Sequence, residues 1–450
     1  MEVPEVRYAR SGDLRIAYEV FGSGPVDLVY GRTAISHLEL VWEEPSVAGY
    51  FRELATVSRV ILWDKRGVGL SDRAVGTATL EDRMDDVRAV MDAAKSRRAV
   101  IFGATDTAAM ALLFAAIYPE RTLGLMLIEP MVRGAWAPDF PSAPTPEEVE
   151  ATIRRSDEDW GSPAHIDRLL AVQAPSRLGD PVFKRWYGRV IRFGSSPSAD
   201  ASLARMNLEI DVRAALSAVH VPTLVLKCPG DRAARGENSD YVASHVAGAQ
   251  LIAIPGSDHF FWANPEARTA SLRAQKAFLS TLPSSLPDDD RVLKTVVFAD
   301  IVESTQLAAR LGDHGWRELL DSFLAESRAE ASRFRGRMVK TTGDGYLATF
   351  DGPTRAVRFA QSVQDAARQR GLQLRAGVHT GECLVQDNDV VGIAVHLASR
   401  ICGSAGGGEV VTSRTVRDLS VGSEVRFEER GARQFKGIDG SWETFLAVPP

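Results

Sequence analysis

The fold of the C-terminal part of the chain is decided by TVVFADIVEST, residues 295–305, and MVKTTGDGYLATF, residues 338–350. Asp300 closes the apolar run of the first segment, and Asp344 lies between two glycines in the second. The residues between the two segments carry apolar side chains at helical spacing. A strand, a helix and a returning hairpin would therefore bring both carboxylates to one edge of a sheet.

Two carboxylates at one sheet edge permit two interpretations. They could hold a pair of hard divalent cations, which prefer oxygen ligands and promote displacement at phosphorus. Alternatively, Asp300 caps a helix and Asp344 stands in a hairpin turn, since Asp-Gly is a strong turn signal. The aspartates alone do not decide between a metal site and these structural roles.

The composition is that of a globular protein with more than one domain. A chain of 450 residues exceeds what one hydrophobic core usually accommodates. Its 45% hydrophobic and 25% charged residues are an ordinary globular balance. The net charge of −6 gives no support for binding nucleic acid or anionic membranes, which favour basic surfaces.

The cysteines and the N-terminus bear on the compartment. The three cysteines are scattered and form neither a disulfide framework nor a zinc pattern, which favours a reducing environment. The N-terminus has no cationic start followed by an apolar core, so it does not resemble a signal peptide. Because no apolar run is long enough for a membrane span, we expect a cytoplasmic protein.

Strand-like and helical segments alternate over residues 1–283, which predicts a mostly parallel sheet covered by helices. The predicted strands are Val26–Tyr30, Arg59–Trp63, Ala99–Phe102, Gly124–Ile128, Thr223–Lys227 and Gln250–Ile254. The predicted helices include Leu80–Ala94 and Thr107–Tyr118. Residues 131–217 are more polar and helical, and we interpret them as a cap. Prolines, serines and aspartates at 284–291 predict a linker, so the second domain would cover residues 292–450.

Several segments of the N-terminal half resemble the α/β-hydrolase family. WDKRGVGLSD, residues 63–72, resembles its D-x-R-G-x-G-x-S turn, and FGATDTAAMALLFAAIYPER, residues 102–121, resembles its nucleophile elbow and helix. LVLKCPGDR and IPGSDHFFW resemble the acid and histidine segments. The resemblance implies an α/β-hydrolase fold with a helical cap, in which the triad positions are held by Thr105, Asp231 and His259.

The elbow departs from the family pattern G-x-S-x-G, because it reads Gly-Ala-Thr-Asp-Thr from Gly103 to Thr107. Threonine is β-branched and stiff at χ1, and the family's His-Gly oxyanion segment is not evident. Efficient acyl transfer needs nucleophile, base and oxyanion donors together. We therefore expect a degenerate triad in a regulatory domain that could bind a small molecule or an acyl ligand. The alternative is a weak esterase using Thr105, or Asp106 as a carboxylate nucleophile.

Five motifs in order within residues 292–448 resemble the catalytic domain of class III adenylate/guanylate cyclases, an α+β ferredoxin-like fold. The motifs are FADIVEST, VKTTGDGYLATF, RAGVHTGE, DVVGIAVHLASRI and QFKGIDGSWETF. A hydrolase-like domain followed by such a domain is the arrangement of mycobacterial hydrolase–cyclase fusions. The resemblance implies an adenylate cyclase that converts ATP to 3′,5′-cyclic AMP and pyrophosphate.

The resemblance implies how the first two motifs would hold metal and phosphate. Asp300 and Asp344, with the backbone carbonyl of Ile301, would bind two Mg²⁺ or Mn²⁺ ions per site. A phosphate would meet backbone N–H groups at the start of the following helix. Those N–H groups belong to Val302, Glu303 and Ser304.

The later motifs imply residues for the base, the ribose and the other phosphates. Lys340 would donate to a purine ring nitrogen, and Asp389 would accept from the adenine amino group. Arg400 would stabilise charge on the α-phosphate in the transition state, and Lys436 would steady the outer phosphates. His396 stands where the family usually has an asparagine that positions the ribose, and its charge can change near neutral pH.

In this family the metal aspartates and the lysine–aspartate–arginine set face each other across a dimer interface. The chain carries both sets, so the resemblance implies a homodimer with two shared sites, by analogy of fold. The alternative from a different class is a catalytically inactive pair of domains that binds nucleotide or docks to a partner.

Overall fold

The computed structural model describes residues 2–32, 35–73, 78–234, 236–282, 291–386, 389–420 and 422–449. The chain divides into two compact units, Met1–Asp288 and Asp289–Pro450. All but the last residue of the predicted linker at 284–291 lies outside the described residues. That last residue, Arg291, already belongs to the first strand of the second unit.

The described part of the first unit is built on an eight-stranded sheet with the order β1-β2-β4-β3-β5-β6-β7-β8. Its strands are β1 (Arg7–Ser11), β2 (Leu14–Phe21), β3 (Val26–Gly31), β4 (Ser58–Trp63), β5 (Ala99–Thr105), β6 (Thr122–Pro130), β7 (Thr223–Lys227) and β8 (Gln250–Ala253). The pairs β1–β2 and β2–β4 are antiparallel, and the other pairs are parallel. The mostly parallel sheet predicted from the sequence is therefore confirmed.

Helices surround this sheet. They are α1 (Leu38–Val41), α2 (Pro45–Leu54), α3 (Leu80–Ala93), α4 (Asp106–Ile117), α5 (Pro146–Asp159), α6 (Pro163–Gln173), α7 (Pro181–Gly194), α8 (Pro197–Leu208), α9 (Glu237–His245) and α10 (Pro265–Thr281). Every residue of α4 is buried, because this helix packs against the centre of the sheet. Helices α5 to α8 occupy the segment between β6 and β7 that was interpreted as a cap.

The second unit contains a second, mostly antiparallel sheet. Its strands are β9 (Arg291–Ile301), β10 (Arg337–Thr341), β11 (Gly345–Phe350), β12 (Leu374–Gln386), β13 (Asp389–Val391), β14 (Val410–Ser413), β15 (Arg426–Phe435) and β16 (Ile438–Val448). Their order is β10-β11-β9-β12-β14-β16-β15, with β13 paired to β12. The antiparallel core β10-β11-β9-β12 has the strand order of a β-α-β-β-α-β unit. The predicted ferredoxin-like fold is confirmed.

The helices of the second unit lie on both faces of its sheet. They are α11 (Ser304–Arg333), α12 (Pro353–Gln369), α13 (Ile393–Ser404) and α14 (Arg414–Leu419). Alternate residues of β9, such as Val297 and Ala299, pack with α11 and α12, whereas Val296 packs with α13. Because side chains alternate along a strand, Asp300 belongs to the face that carries α13. No helix in the described ranges has the length and apolarity of a membrane span.

Helix α13 lies directly on β12 at a glycine. A Cβ atom on Gly377 would stand 2.1 Å from the Cys402 nitrogen and 2.6 Å from the Ala398 carbonyl oxygen. Both of those atoms belong to the backbone of α13, so no side-chain rotation could relieve the contact. The absence of a side chain at residue 377 therefore sets how closely α13 approaches the sheet.

Candidate active site

Asp300 lies near the end of β9, and Asp344 lies in the turn that leads into the adjoining strand β11. Asp300 lies in β9 directly opposite Gly345, the first residue of β11. Asp344 precedes Gly345 in a tight turn, closed by a hydrogen bond from the Thr342 N–H to the Gly345 carbonyl at 2.8 Å. Gly343 adopts φ 82° in this turn, a conformation that a glycine takes without strain. The sequence prediction that a strand and a hairpin bring these aspartates together agrees with this register.

Arg375 engages the first of these aspartates. It stands opposite Asp300 on β12, and its Nε donates to Asp300 Oδ2 at 3.0 Å while Nη2 donates to the same oxygen. This hydrogen bonding raises the pKa of Arg375, and the charge of Asp344 adds to the effect. The sequence analysis missed this contact, although Arg375 opens the quoted motif RAGVHTGE, because the register between β9 and β12 was not evident.

The oxygen donors at this edge fit a hard divalent cation. Two carboxylates and the carbonyl of Ile301 are the ligand types that Mg²⁺ and Mn²⁺ prefer, and the Asp300 side chain is 32% exposed. Across the described ranges, no cluster of three or more His, Cys, Asp or Glu side chains is arranged for a metal. The side-chain ligands would thus be two aspartates, with phosphate or water oxygens completing the coordination.

The backbone N–H groups that follow Asp300 are not equally free to donate to a phosphate. Glu303 adopts a left-handed conformation with φ 58° and ψ 29°, and α11 begins at Ser304. The Val302 N–H donates to the Gln373 carbonyl at 2.8 Å. This bond removes Val302 from the predicted phosphate contact, which leaves the N–H groups of Glu303 and Ser304.

Lys340 and Asp389 form an ion pair. The Lys340 ammonium donates to both carboxylate oxygens of Asp389 at 2.7 Å, joining β10 to β13. The Val390 N–H also donates to Asp389 Oδ1 at 2.8 Å. The hydrogen bond from Lys340, followed by that from Val390, lowers the pKa of Asp389. Both side chains are 47% exposed, so the pair remains accessible to a ligand.

The remaining predicted residues of this unit gather around α13. His396 and Arg400 lie one helical turn apart and are both exposed. Lys436 lies in the turn between β15 and β16, and its flanking residues Phe435 and Ile438 pack against the buried side of α13. Within the described ranges, no hydrogen bond or ion pair joins these three side chains to either of the two aspartates, Asp300 and Asp344. None joins the Lys340–Asp389 pair to these aspartates either.

The first unit brings together part of the predicted triad. His259 Nδ1 and Asp231 Oδ2 are 2.7 Å apart. Thr105 has φ 45° and ψ −115°, a strained conformation for a β-branched residue. Its hydroxyl donates to Asp106 Oδ1 at 3.3 Å, and no hydrogen bond in the described residues joins it to His259. The elbow geometry and the acid–histidine pair are present, but the nucleophile position is not coupled to the base.

Asp106 belongs to a buried ionic cluster. Its Oδ2 accepts hydrogen bonds from Lys65 Nζ at 2.9 Å and Arg83 Nη1 at 3.1 Å. Burial alone would raise the pKa of Asp106, but the charges of Lys65 and Arg83 hold it below its usual range. A carboxylate bound by two buried cations is a poor nucleophile, which disfavours the alternative that assigned this role to Asp106. The sequence analysis did not predict this cluster, although Lys65 lies within the quoted turn WDKRGVGLSD.

Comparison with protein-family models divides the chain at a similar place. The model described as "Adenylate and Guanylate cyclase catalytic domain" matches residues 289–448. The model described as "Serine aminopeptidase, S33", a hydrolase family, matches residues 55–266. The two matches fall on the two units that carry the sites described above.

Individual relatives match parts of the chain. Adenylate cyclase from Streptomyces coelicolor is 33% identical over 119 residues, 25% of this chain and 31% of that protein. Adenylate cyclase from Glutamicibacter nicotianae is 31% identical over 121 residues, 26% of this chain and 30% of that protein. The chain thus spans about a third of the length of these curated relatives. An esterase from Exiguobacterium antarcticum is 18% identical with a TM-score of 0.54, covering 62% of this chain and 100% of that structure. This likeness supports the fold of the first unit.

Proposed function

Because the chain joins an α/β-hydrolase domain to an adenylate and guanylate cyclase catalytic domain, we propose that it is an adenylate cyclase. The reaction converts ATP to 3′,5′-cyclic AMP and pyrophosphate. The observation that carries the choice of ATP is the ion pair between Lys340 and Asp389. It places a donor and an acceptor side by side on the exposed surface of the cyclase domain.

Adenine and guanine differ at the atoms that this pair would meet. The adenine amino group donates to Asp389, and an adenine ring nitrogen accepts from Lys340. Guanine presents a carbonyl where adenine has the amine, so Asp389 would lose its hydrogen bond. A site that leaves a polar group unpaired with the wrong substrate discriminates strongly, which supports ATP over GTP.

The other residues act on the triphosphate and the ribose. The 3′-hydroxyl attacks the α-phosphorus in line with the leaving pyrophosphate. Arg400 binds the α-phosphate oxygens, whose charge must be stabilised in the transition state, and Lys436 binds the outer phosphates. His396 contacts the ribose. Arg400 and His396 share an exposed face of α13, which supports their acting on one ligand.

Asp300, Asp344 and the Ile301 carbonyl would hold two Mg²⁺ or Mn²⁺ ions. Bound there, the ions would lower the pKa of the 3′-hydroxyl and neutralise charge on the triphosphate. Arg375 holds one Asp300 oxygen from the neighbouring strand β12. The N–H groups of Glu303 and Ser304 lie immediately after the metal aspartate and would contact a phosphate.

The active sites are shared between two copies of the chain in this proposal. The described residues of one chain leave the aspartate pair unconnected to the Lys340–Asp389 pair and to the cations of α13. A second copy can supply the missing half of each site, as in the family that the cyclase domain resembles. The hydrolase domain then acts as a regulator, since its nucleophile position is uncoupled from His259.

The test is direct measurement of the product. Purified full-length protein incubated with Mn²⁺ and ATP should form cyclic AMP, and Asp300→Ala should reduce the rate at least a hundredfold, as loss of a metal ligand does. Cyclic AMP formation no faster in the unmodified protein than in Asp300→Ala would remove the proposal. Nucleotide binding without turnover would favour the inactive docking module.

Base choice gives a second, sharper prediction. Lys340→Glu combined with Asp389→Cys exchanges the donor and acceptor roles and should shift the ratio of kcat/KM values from ATP toward GTP by at least tenfold. The ratio is measured from cyclic AMP and cyclic GTP formation by the same preparation. If the ratio of kcat/KM values for ATP and GTP is unchanged in this variant, the pair does not determine the base specificity.

A weak hydrolase remains the second candidate, because the Asp231–His259 pair is intact. It is assayed with p-nitrophenyl esters of short acids. Turnover that disappears in both Thr105→Ala and His259→Ala would establish a bifunctional protein. Turnover that persists in both variants would assign the signal to other groups on the surface.

A further inference from the structure

A small cavity of about 40 Å³ lies beside the elbow of the hydrolase domain. Ala104, the residue before Thr105, lines it together with His259 and Arg32. Its other walls are mainly apolar or aromatic and include Ile35, Phe102, Ile128, Phe260 and Trp262. The cavity therefore combines an apolar enclosure with a histidine and a guanidinium.

Arg32 carries a buried guanidinium nitrogen that meets no acceptor within the described residues. Its Nη1 is shielded from solvent and donates no hydrogen bond within the described part of the chain. Burial lowers the pKa of Arg32, but an arginine side chain remains charged in proteins. A buried donor without an acceptor costs free energy, and an anion entering the cavity would remove that cost.

The two acids that attract Arg32 form their hydrogen bonds with other donors. Asp64 accepts from the Ser36 hydroxyl at 2.6 Å and from two backbone N–H groups. Glu19 accepts from the Trp42 indole at 2.9 Å, and its other oxygen is also without a partner in the described residues. Both acids attract Arg32 electrostatically, but neither forms a hydrogen bond with it.

His259 offers a second polar contact in the same cavity. Its Nδ1 is engaged with Asp231 at 2.7 Å. The other ring nitrogen, Nε2, is consequently the one left for a ligand. With Thr105 uncoupled from this histidine, nothing in the described site prepares a nucleophile for attack on that ligand.

We propose that this cavity binds a small organic monocarboxylate as a ligand and not as a substrate, since a free carboxylate has no acyl bond for a hydrolase to cleave. The carboxylate is held by Arg32 and His259, and the short apolar part lies among the aromatic walls. The small volume restricts the ligand to a few heavy atoms, as in acetate or propionate. Binding of the carboxylate does not depend on the proposed cyclase activity. Control of cyclic AMP formation by this ligand, in contrast, rests on that proposed function.

Calorimetric titration of the full-length protein tests the binding directly. Propionate, propionamide and inorganic phosphate are titrated in a chloride-free buffer into the unmodified protein, Arg32→Gln, Arg32→Lys and Arg52→Gln. Arg52 is an exposed arginine of α2 and serves as the matched control. The expected result is one saturable propionate site per chain, weakened about tenfold or more in Arg32→Gln and unchanged in Arg52→Gln. Partial retention in Arg32→Lys and no binding of propionamide are also expected.

Other outcomes overturn the proposal. Equal binding of propionate and propionamide would show that the cavity does not distinguish an anion from its neutral analogue. Equal binding by Arg32→Gln and the unmodified protein would exclude Arg32 as the anchor. Tighter binding of phosphate than of propionate would show that the cavity binds an inorganic anion. Absence of any saturable binding would mean that water alone fills the cavity. None of these results depends on whether the protein forms cyclic AMP.

Discussion

At the scale of single residues, the bond between Arg375 and Asp300 opposes the binding of a cation. The guanidinium occupies one oxygen of Asp300 and lies within the electrostatic range of Asp344. A cation at this edge must share the two carboxylates with a positive charge that is already there. Arg375 would therefore weaken the attraction of this edge for a divalent cation while it holds Asp300 in place.

Removal of that charge gives a prediction that does not depend on activity. Arg375→Gln should tighten Mn²⁺ binding about two- to fivefold, as expected for loss of one partly exposed charge. Mn²⁺ binding is followed by electron paramagnetic resonance of the free ion. Arg414→Gln, on α14, removes an equal charge away from the aspartates and should leave the affinity unchanged. An equal change in both variants would contradict a local effect of Arg375.

A buried glutamate should make the stability of the hydrolase domain depend on pH. Burial raises the pKa of Glu129 to about 7, against hydrogen bonds from the Cys228 N–H and the Ser239 hydroxyl that lower it. The folded state therefore binds more protons than the unfolded state between pH 4.5 and 7. The stabilisation by this group is complete below pH 4.5 and is lost as pH rises through 7.

Glu129→Gln tests that dependence. Relative to this variant, the unmodified protein should lose about 3 kcal/mol of unfolding free energy between pH 4.5 and 8. Urea denaturation at a series of pH values supplies the measurement. Glu147→Gln, at an exposed site on α5, should reproduce the pH profile of the unmodified protein. Parallel profiles for Glu129→Gln and the unmodified protein would show that folding does not shift the pKa of Glu129.

At the scale of elements, the contact of α13 with β12 positions the cationic face of the cyclase domain. Arg400 is carried on the exposed side of α13, and Gly377 on β12 receives the opposite side. Any atom added at residue 377 meets helix backbone, so the helix must move. The position of Arg400 is therefore coupled to a residue that contacts no substrate.

Gly377→Ala is expected to lower both stability and turnover. Overpacking of this kind typically costs about 1–3 kcal/mol, and displacement of Arg400 should reduce kcat more than it raises KM. Thermal unfolding and cyclic AMP kinetics measure the two effects. Gly403→Ala is the control, because it lies on the same helix with open space around its added methyl group. Unaltered kinetics in a folded Gly377→Ala protein would contradict the coupling.

The elements show what could be predicted from the sequence. Strand β7 has the predicted bounds, and α3 and α4 differ from prediction by a residue at one or both ends, because apolar runs and caps are local signals. The Arg375–Asp300 bond could not be predicted, because it depends on the register of strands far apart in the chain. The partners of Asp106 were missed for a similar reason, since Arg83 reaches it from another helix.

At the scale of the whole molecule, the two units contain separate hydrophobic cores and separate sites. Within the described residues, the hydrolase domain contains a cavity without a coupled nucleophile. The predicted site residues of the cyclase domain lie in sets that no hydrogen bond or ion pair connects there. Completion of the cyclase site by a second copy would make activity a property of an assembly. Assembly then offers a step at which the hydrolase domain can control the rate.

Mixing two inactive variants tests the shared site. Asp300→Ala and Arg400→Ala damage opposite halves, so one of the two sites in each mixed dimer would be intact. If the chains exchange freely, the mixture should regain about a quarter of the unmodified activity. Asp300→Ala mixed with Asp344→Ala damages the same half twice and should stay inactive. Recovery in both mixtures, or in neither, would contradict a site built from two chains.

The ladder between β9 and β12 is continuous from Leu374 opposite Ile301 to Leu384 opposite Arg291. Both strands are flanked by other strands, so opening this ladder requires disruption of the centre of the sheet. Its amide hydrogens should exchange with deuterium only through near-global opening, whereas those of the turn at Asp344 exchange through local fraying. Asp300 is thus attached to the slowest-opening part of the domain, whereas Asp344 belongs to a turn that can adjust. Adjustment to ions of different radius would fall on Asp344, while Asp300 stays fixed.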